Sequence, residues 1–232
     1  MKLSKYHTKR NFEVTPEPAG KDQDSGRKSS SSLLYVVQKH RASHLHYDFR
    51  LEYNGTLLSW AVPKGPSLDP SVKRLAMQVE DHPIDYADFE GVIPEGEYGG
   101  GTVMVWDCGT WSPESVDIGT ALAKGNLKFT LHGKKLKGSW VLVKTHGYGG
   151  NSKTSWLLIK HRDEYASAED ITMERPKSAR SNRLLVDIAR EGQGNIGKAA
   201  TGDPHPLTTT SKKPSSAPAR AAKRNSGKSG RS

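Results

Sequence analysis

Residues 44–62 read HLHYDFRLEYNGTLLSWAV. From His44 to Tyr53 polar and apolar residues alternate one for one, the period of a half-buried strand, in which successive side chains point to opposite faces. Asn54-Gly55 then supplies the pair best suited to a two-residue hairpin turn, and Thr56 to Val62 returns as a second apolar strand. Parity places Leu45, Tyr47, Phe49 and Leu51 on one side of the first strand and His46, Asp48, Arg50 and Glu52 on the other. One side builds a core. The other carries an imidazole, two carboxylates and a guanidinium at steps of about 7 Å, which an ordinary solvated face also does.

Outward from this hairpin, further strands are expected at 33–39 (LLYVVQK), 74–80 (RLAMQVE), 102–107 (TVMVWD), 127–132 (LKFTLH), 138–145 (GSWVLVKT) and 155–160 (SWLLIK). Helical windows are confined to Pro113–Lys124, with proline placed for a first turn, and Arg183–Arg190. Seven or eight short strands with so few helices predict an all-β fold, an antiparallel barrel closed or nearly closed so that edges are covered. The segment 94–103 (PEGEYGGGTV) lacks the Gly-Lys-Ser/Thr ending of a phosphate loop and leads into a strand, so it reads as a turn or bulge at the barrel edge. Trp60, Trp106, Trp111, Trp140 and Trp156 fall in or beside strands and read as core.

The chain of 232 residues carries 35 Lys and Arg against 25 Asp and Glu, a net charge of +10. Residues 1–30 contribute +3 and residues 176–232 contribute +9, which leaves −2 for everything between. The excess is therefore a property of the termini, not of a basic fold. From Thr208 the chain reads TTTSKKPSSAPARAAKRNSGKSGRS, without an acid or a large apolar residue, and is expected to be disordered, which suits a merely solvated tail or a cationic arm that holds polyanions. The expected organisation is a polar arm over 1–32, partly docked through Tyr6–Pro18, a barrel over 33–166 and a basic tail over 167–232. One cysteine, Cys108, excludes an internal disulfide framework. No run approaches the length of a membrane span and no signal peptide is visible, so a soluble cytoplasmic, nucleoid-associated monomer is expected.

What distinguishes the charged face of the first hairpin strand is its surroundings. His40 closes the preceding strand, and with His46 and Asp48 it offers the mixed nitrogen and oxygen donors that a divalent transition metal prefers. Three ligands leave coordination positions open, as catalysis requires. Lys64 in VPKGP, Arg74, and the loop Glu80–Tyr86 with His82 lie close by in sequence. A metal amid guanidiniums, an ammonium and a further imidazole suits a phosphoryl group, whose oxygens must be clamped as the leaving oxygen departs.

The motifs QKHRASHLHYDFRLEYNGTLLSWAVPKGP (38–66), LAMQVEDHPIDYADFEGVIPEGEYGGGTVMVWDCGTW (75–111), GNLKFTLHGKKLKGSWVLVKT (125–145) and SWLLIKHRDEYA (155–166), with YHTKRNFEVTPEP upstream, resemble the phosphoesterase domain of bacterial DNA ligase D in its stand-alone form. The resemblance implies a closed β-barrel that heals 3′ ends of DNA or DNA/RNA primers in non-homologous end joining. Terminal ribonucleosides and then 3′-phosphates are removed to leave 3′-hydroxyls, manganese being the favoured ion, alongside separate ligase and polymerase proteins. It makes His40, His46 and Asp48 the metal ligands, and gives Arg50 and His82 the scissile phosphate. Gln38, Lys64, Arg74, Glu80 and Tyr86 become supporting residues, with Arg10, Asn11 and Glu17 on the substrate side. Asn11 departs from the acidic residue usual in that family. Two other readings compete. A non-catalytic end-binding module would be insensitive to chelator, and a cupin-like metal oxygenase would need iron and a distal histidine and leaves Arg50, Lys64 and Arg74 unexplained.

Overall fold

Asn54 and Gly55 both take positive φ, +50° and +78°, so the hairpin turn forms as its two residues predict. In the computed structural model, which describes residues 3–20, 32–145 and 154–204, this turn joins β2 (Leu45–Tyr53) to β3 (Thr56–Val62) with Tyr53 opposite Thr56 and Phe49 opposite Trp60. On the other edge of β2 lies β1 (Leu33–Arg41), antiparallel, in a register that sets His40 against His46 and Gln38 against Asp48. Residues directly opposite in an antiparallel pair share a face. One register therefore gathers Gln38, His40, His46, Asp48 and Arg50 on a single side.

The sheet continues from β3 through β4 (Arg74–Gln78), β9 (Ser155–Lys160), β8 (Lys137–Lys144) and β7 (Asn126–Gly133) to the long β6 (Gly101–Pro113). The free edge of β6 then pairs with β1, from Leu33 opposite Trp111 to Arg41 opposite Thr102, and closes an eight-stranded antiparallel ring. A short strand, β5 (Gly91–Ile93), pairs with residues 101–103 of β6, beyond the part that β7 covers. The β1–β6 register slips between Val37 and Gln38, a bulge of the kind that sharpens twist where a barrel must curve.

Inside the ring, Tyr47, Phe49 and Leu51 meet all five tryptophans in one buried cluster, as strand parity requires. A second cluster forms outside. There α1 (Ser4–Thr8) lays the fully buried Tyr6 against Val36, Leu57, Ile84, Tyr86 and Val105, with Phe12 beside them. The N-terminal arm thus docks where its two aromatics suggested, and it roofs the charged face of β2. That face is not solvated: Asp48 and Arg50 are buried.

Two expectations need correction. Residues 113–124 are not one helix: Pro113 ends β6, and α2 (Ile118–Ala123) starts where Asp117 accepts from the Gly119 amide at 2.9 Å, a better N-cap than proline provides. The basic tail does not begin at 167. Helices α3 (Ile171–Glu174), α4 (Leu185–Glu191) and α5 (Ile196–Ala200) fold onto the barrel, and Ile171, Leu185, Ile188, Ala189 and Ala199 join the main core. The composition that argues for disorder starts only near Thr208, outside the described residues. The described residues hold 23 Lys and Arg against 23 Asp and Glu, so the whole net charge lies in the rest of the chain. Among the described residues no helix is long and apolar enough to cross a membrane.

Candidate metal centre and active site

His40, His46 and Asp48 each present a donor atom within 4.8 Å of the other two. His40 Nε2 lies 2.8 Å from the Gly99 carbonyl and must donate to it, which leaves Nδ1 unprotonated and 3.6 Å from Asp48 Oδ2. His46 is the mirror case: Nδ1 donates to the His44 carbonyl at 3.1 Å, and Nε2 lies 3.6 Å from the same carboxylate oxygen. Each backbone carbonyl fixes a tautomer, and each imidazole aims its lone pair at one point beside Asp48, as metal-bound histidines do. Burial drives the Asp48 carboxyl upward, but the Arg50 guanidinium beside it outweighs this and holds the pKa well below the ordinary range. Two imidazole nitrogens and one carboxylate oxygen, gathered within 4.8 Å of one another, fit a divalent transition ion.

Arg50 stands next to this trio, with Nη2 3.3 Å from Asp48 Oδ2. Its Nε donates to Gln38 Oε1 at 2.8 Å and its Nη1 to Ser59 Oγ at 2.7 Å. Gln38 is itself pinned, its amide donating to the carbonyls of Tyr86 and Phe89 at 2.9 Å each. His82 follows. Arg10 Nη2 lies 3.1 Å from His82 Nε2, and Nδ1 lies 2.9 Å from both the Glu80 carbonyl and Arg50 Nη1. Arg50 Nη1 already has Ser59, so we assign the proton to Nδ1, donating to Glu80, with Nε2 accepting from Arg10. Burial, then Arg50, then Arg10 push the His82 pKa well below its usual value, so the ring is neutral.

Arg10 comes from the docked arm. Its guanidinium stacks 3.9 Å from the Tyr6 ring centroid and pairs with Glu17 at 2.9 Å and Glu80 at 3.4 Å. Glu17 also accepts from Tyr86 Oη at 2.8 Å and Thr15 Oγ1 at 2.9 Å. Arg10, Glu17, Glu80, His82 and Tyr86 border one cavity of about 240 Å³ with His40, His46, Asp48 and Arg50 in its wall.

Three residues expected at the site stand elsewhere. Lys64 is exposed and Arg74 lies at the far end of β4 opposite Leu158; neither lines the cavity. Asn11 is exposed, and its side-chain oxygen accepts from the Glu13 amide at 3.2 Å, a local turn of the arm. Two further histidines that sequence alone leaves open as ligands add nothing here: His132 is exposed and His146 lies outside the described residues. Sequence reasoning missed Ser59, which β3 register places opposite Arg50, and Tyr98 and Gly99, which the glycine-rich turn brings to the cavity wall.

The sequence model of the DNA ligase D 3′-phosphoesterase domain matches residues 38–144, the span that contains the trio, Arg50 and His82. The chain belongs to the DNA ligase D 3′-phosphoesterase family. Within the family it is 55% identical over 188 residues to the multifunctional non-homologous end joining protein LigD of Pseudomonas aeruginosa, across 79% of this chain and 22% of that protein. The LigD of Mycolicibacterium smegmatis is 38% identical over 196 residues, across 82% of this chain and 23% of its own length. The chain thus spans under a quarter of the curated LigD relatives it matches. At 188 and 196 residues, both matches are longer than the span of the family model.

Proposed function

We propose that the chain is a metal-dependent phosphoesterase that heals the 3′ ends of DNA or DNA/RNA primers during non-homologous end joining. It removes terminal ribonucleosides and 3′-phosphates to leave 3′-hydroxyls for ligase and polymerase partners. The convergence of two tautomerically fixed imidazoles and one carboxylate beside Arg50 carries this reading. His40 Nδ1, His46 Nε2 and Asp48 hold the ion, manganese by family resemblance, which when bound supplies positive charge to a phosphate oxygen and acidifies a water.

The remaining chemistry belongs to the chain. Arg50, locked by Gln38 and Ser59, meets the charge that develops on the phosphoryl oxygens without having to reorganise. Arg10 offers a second guanidinium from the opposite side. Burial, with these two cations, keeps His82 neutral in the free protein. A phosphate seated between them cancels much of their field, so His82 can bind a proton and hand it to the departing oxygen. Water supplies the hydroxyl that stays on phosphorus and the proton that ends on the alcohol. Glu17, Glu80 and Tyr86 keep Arg10 and His82 in place.

The test is a labelled primer ending in a ribonucleotide or a 3′-phosphate, incubated across a panel of divalent ions. Product is expected with manganese and is lost with chelator and in His46→Ala and Asp48→Asn. A wild-type protein inert with every ion, or His46→Ala at full activity, removes the proposal. DNA binding that survives chelator with no product from either primer would favour the end-binding reading instead.

A further inference from the structure

The mouth of the cavity carries an aromatic ring to which nothing so far gives a role. Six large apolar side chains among the described residues are exposed, and Tyr98, 48% exposed, is the one of them that lines this cavity. The other tyrosine in the wall, Tyr86, is buried against Glu17, and His82 is buried between guanidiniums.

Its position is tightly determined. Tyr98 sits in a turn closed by Glu97 N to Pro94 O at 3.2 Å and Gly100 N to Glu97 O at 2.9 Å. Gly99 holds φ at +80°, and a Cβ on Gly100 would meet the Pro94 carbonyl at 2.7 Å, so the glycines let this turn close. The next carbonyl, that of Gly99, is the one that fixes the His40 tautomer. One peptide therefore links the ring to a metal ligand. Lys9 reaches the ring from the docked arm, its Nζ 4.5 Å from the centroid and 3.0 Å from the hydroxyl, and Arg10 Cζ stands at 5.6 Å. Lys9 in turn pairs with Glu80 at 3.0 Å. The ring is anchored by cations and yet remains half open.

A flat, anchored, exposed ring beside a phosphate site and flanked by cations matches the chemistry of a nucleotide: a π-face for the base and positive charge for the adjoining phosphates. We propose that Tyr98 is the stacking platform for the nucleobase next to the scissile phosphate, so that the cavity selects ends carrying an intact base. This rests on the phosphoesterase reading above and adds a recognition element to it.

The experiment uses a primer–template whose 3′-terminal base is 2-aminopurine, a fluorophore quenched on stacking, with chelator present so that no turnover intrudes. Wild type is expected to quench the probe. Tyr98→Ala should lose the quench and bind about tenfold more weakly, in line with the usual value of one base–aromatic stack. Tyr98→Phe, which keeps the ring and drops the hydrogen bond from Lys9, should behave as wild type. A primer with an abasic terminal residue should bind wild type and Tyr98→Ala equally. Quenching that persists in Tyr98→Ala overturns the proposal. So does a Phe variant as weak as Ala, which would assign the residue to anchoring Lys9, and so does an equal weakening on the abasic primer. Absence of turnover when manganese replaces the chelator would sink the phosphoesterase reading and leave the fluorescence result standing.

Discussion

Gln38 and Arg50 form one unit across the β1–β2 pair: Gln38 Oε1 accepts from Arg50 Nε at 2.8 Å while the Gln38 amide donates to two main-chain carbonyls. Every polar atom of that amide is committed. The consequence is a guanidinium with no rotameric freedom to lose when charge develops in front of it.

Gln38→Leu keeps the volume and removes this lock. Arg50 retains Ser59 and Asp48, so the metal trio should persist while the guanidinium loosens. We expect kcat on a 3′-phosphate primer to fall about tenfold, the lower end of the usual effect of an orienting partner, with manganese affinity changed by less than about twofold. Parallel metal titrations and turnover measurements separate the two. An unchanged kcat would show that Ser59 alone orients the side chain.

Glu17 and Arg10 are a buried pair within the arm. Glu17→Ala takes from Arg10 its nearer carboxylate, leaving Glu80 at 3.4 Å, and also removes the acceptor of Tyr86 and Thr15. Breaking a buried pair from one side costs about 3 kcal/mol or more, unless the arm undocks and lets water in. Chemical unfolding should register the loss, and limited proteolysis should cut the arm faster than in wild type. Equal stability and equal cleavage rates would place the arm's adhesion in Tyr6 and Phe12 instead.

Glu90 ties the C-terminal segment to β6. It accepts from the Val105 amide and Arg183 at 2.9 Å, from Ser178 at 2.6 Å and from Ser181. Burial raises its pKa, but Ser178, Ser181, Arg183 and Val105 together bring it below the ordinary 4.5. A carboxyl whose pKa is depressed on folding stabilises fully above its unfolded value, and the contribution fades as pH falls through the folded value. The stability gap between wild type and Glu90→Gln should therefore be constant above about pH 5 and shrink below about 4.5. Urea unfolding at a series of pH values reads this directly, and a gap that widens on acidification would contradict it.

A chain ended at residue 204 lacks seven Lys and Arg of the full chain and no acid. It should keep the fold and its turnover on a short primer, and bind long duplexes with a shallower salt dependence, by about 0.9 in log–log slope for each phosphate that those cations would otherwise neutralise. A chain ended at 166 should behave differently, because it also removes five core side chains. Identical salt slopes for the full chain and the 204 form would exclude an electrostatic role for that stretch.

The part of this site legible in sequence was the part that strand parity and cross-strand register control: the hairpin, the closed barrel, and the meeting of His40, His46 and Asp48. The alternation of 44–53 also separates Phe49 from Asp48 correctly. It has no means of revealing that the charged side is buried, since that depends on Tyr6 and Phe12 docking from far away in sequence. Arg74 misled because proximity in sequence is not proximity along a strand. Four steps along β4 separate it from Gln78, about 13 Å at strand rise, and the cavity wall takes up only the residues just beyond, Val79 and Glu80. Tyr98 was hidden in a glycine-rich stretch that reads as a turn, and a turn's local hydrogen bonds say nothing about the cavity its tip will border. The helical window at Arg183–Arg190 is met by α4 (Leu185–Glu191), whereas α3 and α5 were obscured by averaging their composition with the charged stretch beyond them.

Lys39, next to His40, is buried and ion-paired at 3.7 Å with Asp203, which also accepts from the Leu185 and Val186 amides at the start of α4. The two residues are separated by nearly the whole described chain. In synthesis Asp203 emerges long after the strand that bears His40, so a nascent barrel holds Lys39 without this partner until then. Completion of the wall beside His40 is in this way made a late event of synthesis, waiting on a carboxylate from the far end of the described residues.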